Sequence, residues 1–160
     1  MKLEASNGGV TVLVVEDEPF ILDMISQELT DLGFTVLAAE TGEAALSIIK
    51  SGQTVDVLFT DIRLPGELDG WRLAAIVREA KSELPVIYAT GYTVERGTAV
   101  PGSVFLKKPY RPSALAETIR TLIAPDLNQA VSDLRDKNSY SGGCNAQAGF
   151  PRPFRPAGRL

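Results

Sequence analysis

Five short, largely apolar runs separated by stretches of helical period constrain this chain more than any other feature. The runs occupy residues 10–15 (VTVLVV), 34–39 (FTVLAA), 55–60 (VDVLFT), 85–89 (PVIYA) and 103–106 (SVFL). They are nearly continuous rather than alternating, the pattern of strands covered on both faces. Pro19 opens a helix that stops at Gly33, with Phe20, Met24, Leu29 and Leu32 near one apolar stripe. Thr41 can cap a second helix of about ten residues ended by Gly52, with Ala44, Ala45, Ile48 and Ile49 inward. A third runs from about Trp71 to Lys81, with Leu73, Ile76 and Val77 facing the core. Ser113 can cap a last helix that ends near Ile123. Between the fourth and fifth strands, Gly97, Pro101 and Gly102 leave residues 92–102 room for one or two helical turns. Strand and helix alternate five times, which predicts an α/β fold: a doubly wound, five-stranded parallel sheet with helices on both faces.

Composition narrows the chemistry. The chain has 160 residues, one cysteine and no histidine. Cys144 cannot form an internal disulfide, and the missing histidine excludes Ser-His-Asp triads, Cys-His dyads and the usual zinc sites. No apolar run approaches the ~20 residues of a membrane span, and MKLEASNGG is no secretory leader, so a cytoplasmic location is expected. Residues 1–124 hold 11 basic and 17 acidic side chains, whereas residues 125–160 hold 5 and 3. An acidic body argues against nucleic acid as a partner. The expected organisation is an N-terminal extension over 1–9, one domain over 10–124, and a tail over 125–160. A short helix is possible at 126–136, and the Ser, Gly, Pro and Arg beyond Asn138 read as disordered.

The polar residues cluster at the strand ends. Glu16 and Asp17 close the first strand, Asp61 the third and Thr90 the fourth, and Lys108 follows the fifth. In a parallel sheet these ends share one edge, the edge where open α/β sheets bind ligands. Three carboxylates, a hydroxyl and an ammonium therefore converge. Clustered carboxylates repel, and a hard divalent cation relieves that. An all-oxygen set favours Mg²⁺, with Mn²⁺ an alternative. An aspartate beside such an ion can attack phosphorus, and a lysine and a hydroxyl can hold the transferring oxygens. Singly, each feature has a plainer reading: an acidic first turn, a turn aspartate, a solvated lysine. Their joint occurrence, in order and on the right elements, overturns those readings.

These residues resemble the receiver domain of bacterial two-component response regulators, from about Val10 to Ile123. The likeness rests on Glu16-Asp17, Asp61-Ile-Arg-Leu-Pro65, Asp69-Gly70, Ala89-Thr90-Gly91 and Lys108-Pro109. It implies a flavodoxin-like strand order of 2-1-3-4-5 and a cis Lys108-Pro109 bond. It also implies Asp61 as the phosphorylation site, Glu16, Asp17, Asp61 and the Arg63 carbonyl as metal ligands, Thr90 as the switch hydroxyl and Lys108 as the phosphate-binding lysine. Phe105 falls at the family's switch-aromatic position, and Tyr92 is a further switch candidate. The loop from Asp61 to Gly70 looks one residue longer than the usual family spacing, the extra length falling at Gly66-Glu67-Leu68. Thr90 and Lys108 are about a helical turn closer than usual, which implies a shortened fourth helix. Tyr88-Ala-Thr-Gly-Tyr92 is similar to the Phe-Ala-Thr-Gly-Tyr receiver subgroup, with Tyr88 for the Phe. That subgroup tends to partner with histidine kinases of the HWE and related classes.

The expectation is a stand-alone phosphoacceptor, not an enzyme, that takes a phosphoryl group from a histidine kinase or phosphotransfer protein. It would signal by protein contact or act as a phosphate sink. Two other classes compete. One is a small Mg²⁺-dependent phosphohydrolase, against which Arg63 counts, standing where such enzymes usually carry a second Asp. The other is an unphosphorylated adaptor, which has no need of the acid, Thr and Lys set.

Overall fold

The computed structural model describes residues 9–91 and 97–123. Its elements are β1 (Thr11–Val15), α1 (Pro19–Asp31), β2 (Thr35–Ala39), α2 (Gly42–Lys50), β3 (Val57–Asp61), α3 (Gly70–Ala80), β4 (Val86–Thr90), β5 (Val104–Lys107) and α4 (Pro112–Ile123). The five strands form one parallel sheet in the order β2-β1-β3-β4-β5, the flavodoxin-like order expected. No helix lies between β4 and β5 among the described residues. Tyr92, the 1–9 extension but for Gly9 and the tail helix at 126–136 lie outside the described residues.

Each central strand divides its side chains between two cores, because successive residues point to opposite faces. Leu13, Val15, Leu58, Val86 and Tyr88 pack under α2 and α3 with Leu73, Ala74 and Val77. Val12, Val14, Val57, Phe59, Ile87 and Ala89 pack under α1 and α4 with Ile25, Leu29, Leu115 and Ile119. Each fully buried Leu, Ile or Val side chain contributes about 1.5–3 kcal/mol. The edge strand β2 is half exposed, with only Ala39 fully covered.

Three expectations about faces and caps need correction. The buried stripe of α1 is Leu22, Ile25 and Leu29, whereas Phe20 is 80% exposed, Met24 44% and Leu32 38%. Helical period alone admits both stripes. Packing against the sheet and α4 selects Leu22, Ile25 and Leu29. In α2, Ala44 is exposed while Ala45 is buried. The last helix starts at Pro112 rather than after Ser113, and the Arg111 carbonyl accepts from the Ala114 and Leu115 N–H groups. Proline at the start of a helix supplies a helical φ and lacks only a donor that would go unused.

Val100 lies against an aromatic cluster. Trp71 and Tyr88 have ring centroids 4.7 Å apart, and Tyr88 stacks on Phe105 at 5.3 Å. The fully buried Tyr88 accepts a 3.3 Å hydrogen bond at its hydroxyl from the Val100 N–H. Tyr88→Phe would leave that buried donor without a partner, an expected loss of about 1–2 kcal/mol in urea denaturation. An unchanged midpoint would show that water replaces the hydroxyl.

Candidate functional site

The carboxyl edge of the sheet gathers the site. β1 runs on through Glu16, whose N–H donates to the Ala39 carbonyl at 3.1 Å. That ladder bond holds Glu16 at the strand end, where the residue is 2% exposed, while Asp17 turns out to solvent. Asp61 is the last residue of β3 and pairs with Ala89 of β4, so Thr90 lies one step beyond that pair. Lys107 pairs with Thr90, and the Lys108 N–H donates to the Thr90 carbonyl at 2.7 Å. The Lys108-Pro109 bond is cis, as the family likeness implies.

The three expected metal-binding acids meet. Glu16, Asp17 and Asp61 each offer a carboxylate oxygen, all within 4.8 Å of one another. Lys108 Nζ donates to Asp61 Oδ2 at 2.6 Å and lies 3.6 Å from Glu16 Oε2. One ammonium faces three carboxylates, so the pocket keeps an excess of negative charge that a divalent cation would neutralise. The all-oxygen donor set fits Mg²⁺ or Mn²⁺, and it excludes a soft-metal site. The Arg63 N–H reaches Asp61 Oδ1 at 3.4 Å, placing the Arg63 backbone beside the acid cluster. Phe105 is 47% exposed, stacks on Tyr88 and meets Trp71 at a tilt, with ring centroids 5.9 Å apart.

Burial pushes the Glu16 carboxyl above its usual range. The Glu18 N–H and the Lys108 charge pull it back, and Asp61 reinforces the rise. Burial opposes the Lys108 charge, but hydrogen bonding to Asp61 and the charges of Asp61 and Glu16 hold its pKa above the ordinary lysine value. A carboxyl whose folded pKa is raised favours folding at low pH. It opposes folding as pH rises from its unfolded value through its folded one. Glu16→Gln is therefore expected to raise the melting temperature in metal-free buffer at neutral pH. The same change should weaken the stabilisation expected of added Mg²⁺. Paired thermal melts with EDTA and with MgCl₂ test this; a lower melting temperature for Glu16→Gln in EDTA would refute it.

Two neighbours of the site carried little sequence signal. Tyr110 packs edge-on against Phe59 at 5.5 Å, and its buried hydroxyl has no hydrogen-bond partner among the described residues. Burial, helped by the charges of Glu16 and Asp61, pushes its phenol well above the ordinary range. Its place just after Lys108-Pro109 was the only available hint. Beside the lysine lies an apolar cleft of about 340 Å³ lined by Ile21, Met24, Pro109, Tyr110 and Pro112.

A doubly wound α/β domain with an acid cluster and a lysine at its carboxyl edge is the architecture of a phosphoryl-accepting signalling module. Residues 12–120 match the family model of the response regulator receiver domain, and the chain belongs to that family. The transcriptional regulatory protein TcrA of Mycobacterium tuberculosis is 32% identical over 118 residues, 71% of this chain and 46% of that protein. A response regulator receiver protein from Sinorhizobium medicae superposes with a TM-score of 0.66 at 33% identity, covering 72% of this chain and 95% of that one. The receiver domain of the hybrid histidine kinase CckA gives a TM-score of 0.62 at 32% identity, covering 71% and 98%. The chain spans about half the length, or less, of the curated relatives it matches. Among the described residues no helix is long and apolar enough to cross a membrane.

Proposed function

We propose that Asp61 accepts a phosphoryl group from a phosphohistidine of a kinase or phosphotransfer protein. The reading rests on one observation above the others: Lys108 Nζ stands 2.6 Å from Asp61 Oδ2 within a cluster of three carboxylates. In the transfer, an Asp61 carboxylate oxygen forms the new O–P bond as the N–P bond of the partner's histidine breaks, and the freed imidazole keeps the electron pair. Mg²⁺ held by Glu16, Asp17, Asp61 and the Arg63 carbonyl would neutralise charge on the transferring oxygens. Lys108 binds one phosphoryl oxygen, and the Thr90 hydroxyl donates to another. The product is a mixed anhydride that water attacks in line, so the signal is temporary.

Thr90 and Phe105 respond to the new charge as the switch pair. The apolar cleft beside Lys108 supports a protein donor, since it offers contact area next to the reacting carboxylate. The donor belongs to the HWE or a related kinase class, and the protein works in the cytoplasm. Its output runs through protein contacts, or it serves as a phosphate sink. Neither nucleic acid nor membrane is a partner.

The test is intact-protein mass and amide NMR with MgCl₂ and a small phosphodonor or beryllofluoride. One phosphoryl group per chain, lost on adding hydroxylamine, with shifts at Asp61, Thr90 and Lys108, is the expected result. Repeated turnover of a phosphoester would replace this reading with the phosphohydrolase. No response to Mg²⁺ and no acyl phosphate would replace it with the adaptor.

A further inference from the structure

Besides the Arg63 N–H on Asp61 Oδ1, the loop between Asp61 and α3 is fastened at its base, near its far end and from a neighbouring helix. At its base, the Gly70 N–H donates to the Ile62 carbonyl at 2.8 Å. Nearer its far end, Arg72 Nη1 donates to the Glu67 carbonyl at 3.3 Å. Both of these come from α3 itself. The third fastening comes from a different element. Glu43, in the first turn of α2, accepts the Glu67 and Leu68 N–H groups on one carboxylate oxygen, at 3.1 and 3.2 Å.

The contact is built from both sides. Gly66 has φ 93°, and a Cβ there would stand 2.9 Å from Glu43 Oε1, so the loop passes flush against the carboxylate. A Cβ on Gly42 would stand 2.7 Å from both Leu68 Cβ and the Leu68 carbonyl oxygen, so α2 and the loop backbone touch directly. The Glu43 carboxyl is held below its usual range, first by its own N–H and then, against burial, by the Leu68 and Glu67 N–H groups. Nothing in the sequence around Glu43 suggests the role, because its partners are 24 and 25 residues away.

We infer that Glu43 is a positioning residue for the metal-binding loop: by clamping Glu67 and Leu68 to α2, it fixes the path of the backbone that carries Arg63. The inference rests on the reading of Asp61 as the phosphoacceptor with the Arg63 carbonyl as a metal ligand. Mg²⁺ tolerates little departure from octahedral geometry, so its affinity depends on how narrowly a ligand carbonyl is held. Partners that orient ligands from outside the coordination shell commonly govern metal affinity by a factor of ten or more. Glu43 touches none of the reacting groups, so its effect belongs on metal affinity and not on the rate once the metal is saturating.

The experiment is calorimetric titration of MgCl₂ into the wild-type chain, Glu43→Ala, Glu43→Gln and Gly66→Ala, with hydrogen exchange at the Glu67 and Leu68 amides. Glu43→Ala is expected to weaken Mg²⁺ binding about tenfold and to speed exchange at both amides. Its phosphorylation rate by a small phosphodonor at saturating Mg²⁺ should stay within about twofold of wild type. Glu43→Gln keeps a carbonyl acceptor and should rescue affinity to within about twofold, which separates the clamp from a long-range effect of charge. Gly66→Ala pushes on the same contact from the loop side and should reproduce the loss, so the inference stays testable if Glu43→Ala folds poorly. Unchanged Mg²⁺ affinity in a folded Glu43→Ala, or a Gln variant as weak as the Ala variant, overturns the inference and leaves the phosphoacceptor reading standing. A wild-type chain without Asp61-dependent Mg²⁺ binding overturns both.

Discussion

Asp61→Asn is expected to cut phosphoryl incorporation from a small phosphodonor by more than about a hundredfold, to the background of untreated protein. The amide that replaces the carboxylate is isosteric but is not a nucleophile toward phosphorus, and no neighbour stands in for it. Glu16 is buried and already shares Lys108 with Asp61. Asp17 is turned to solvent. The fold should survive, because Asp61 is held by its backbone in the β3–β4 ladder and only its side chain enters the pocket. Lys108 loses its 2.6 Å partner and keeps the more distant Glu16. Intact mass after incubation with donor and MgCl₂ checks the chemistry, and amide NMR checks the fold. Stoichiometric labelling that persists in Asp61→Asn would move the phosphoacceptor elsewhere.

Gly70→Ala should be the most destabilising conservative change near the site. A Cβ on Gly70 would stand 2.2 Å from the Asp61 carbonyl oxygen and 2.8 Å from Ile62 Cα. Both are backbone atoms at the end of a central strand, so neither can swing aside as a flexible side chain would. The φ of Gly70 is not positive, so alanine suits its conformation and is the better helix former. The overlap outweighs that advantage. Relief requires moving α3 off the strand end, which breaks the Gly70–Ile62 hydrogen bond and displaces Asp61. A net loss of about 3 kcal/mol is expected in urea denaturation, together with weakened Mg²⁺ binding. A variant within about 0.5 kcal/mol of wild type would mean that the helix start slides freely along the strand.

The strands were legible because they are buried on both faces, and each was placed to within two residues at either end. Their order followed from the family likeness and the right-handed crossover. The convergence of Glu16, Asp17, Asp61 and Lys108 was legible for a topological reason. In a parallel sheet the carboxyl end of every strand lies on the same edge, so residues far apart in the chain must meet there. Arg63 and Thr90 come to that edge for the same reason, and their roles remain those proposed. The exposed face of α1 was not legible, since Phe20 and Met24 repeat with helical period just as Ile25 and Leu29 do.

The sequence by itself determined the alternation of elements, the parallel sheet and the edge where the charged groups collect. These depend on local period and strand direction, which are written in consecutive residues. Tertiary structure alone decided which stripe of α1 is covered, that the Tyr88 hydroxyl meets Val100, that the Tyr110 hydroxyl is buried near the acids, and that Glu43 clamps the loop behind Asp61. Each of these depends on the distance and angle between elements already formed. A hydrogen bond spanning some twenty-five residues leaves no periodic trace in the chain, because its partners are brought together only when the helices dock on the sheet.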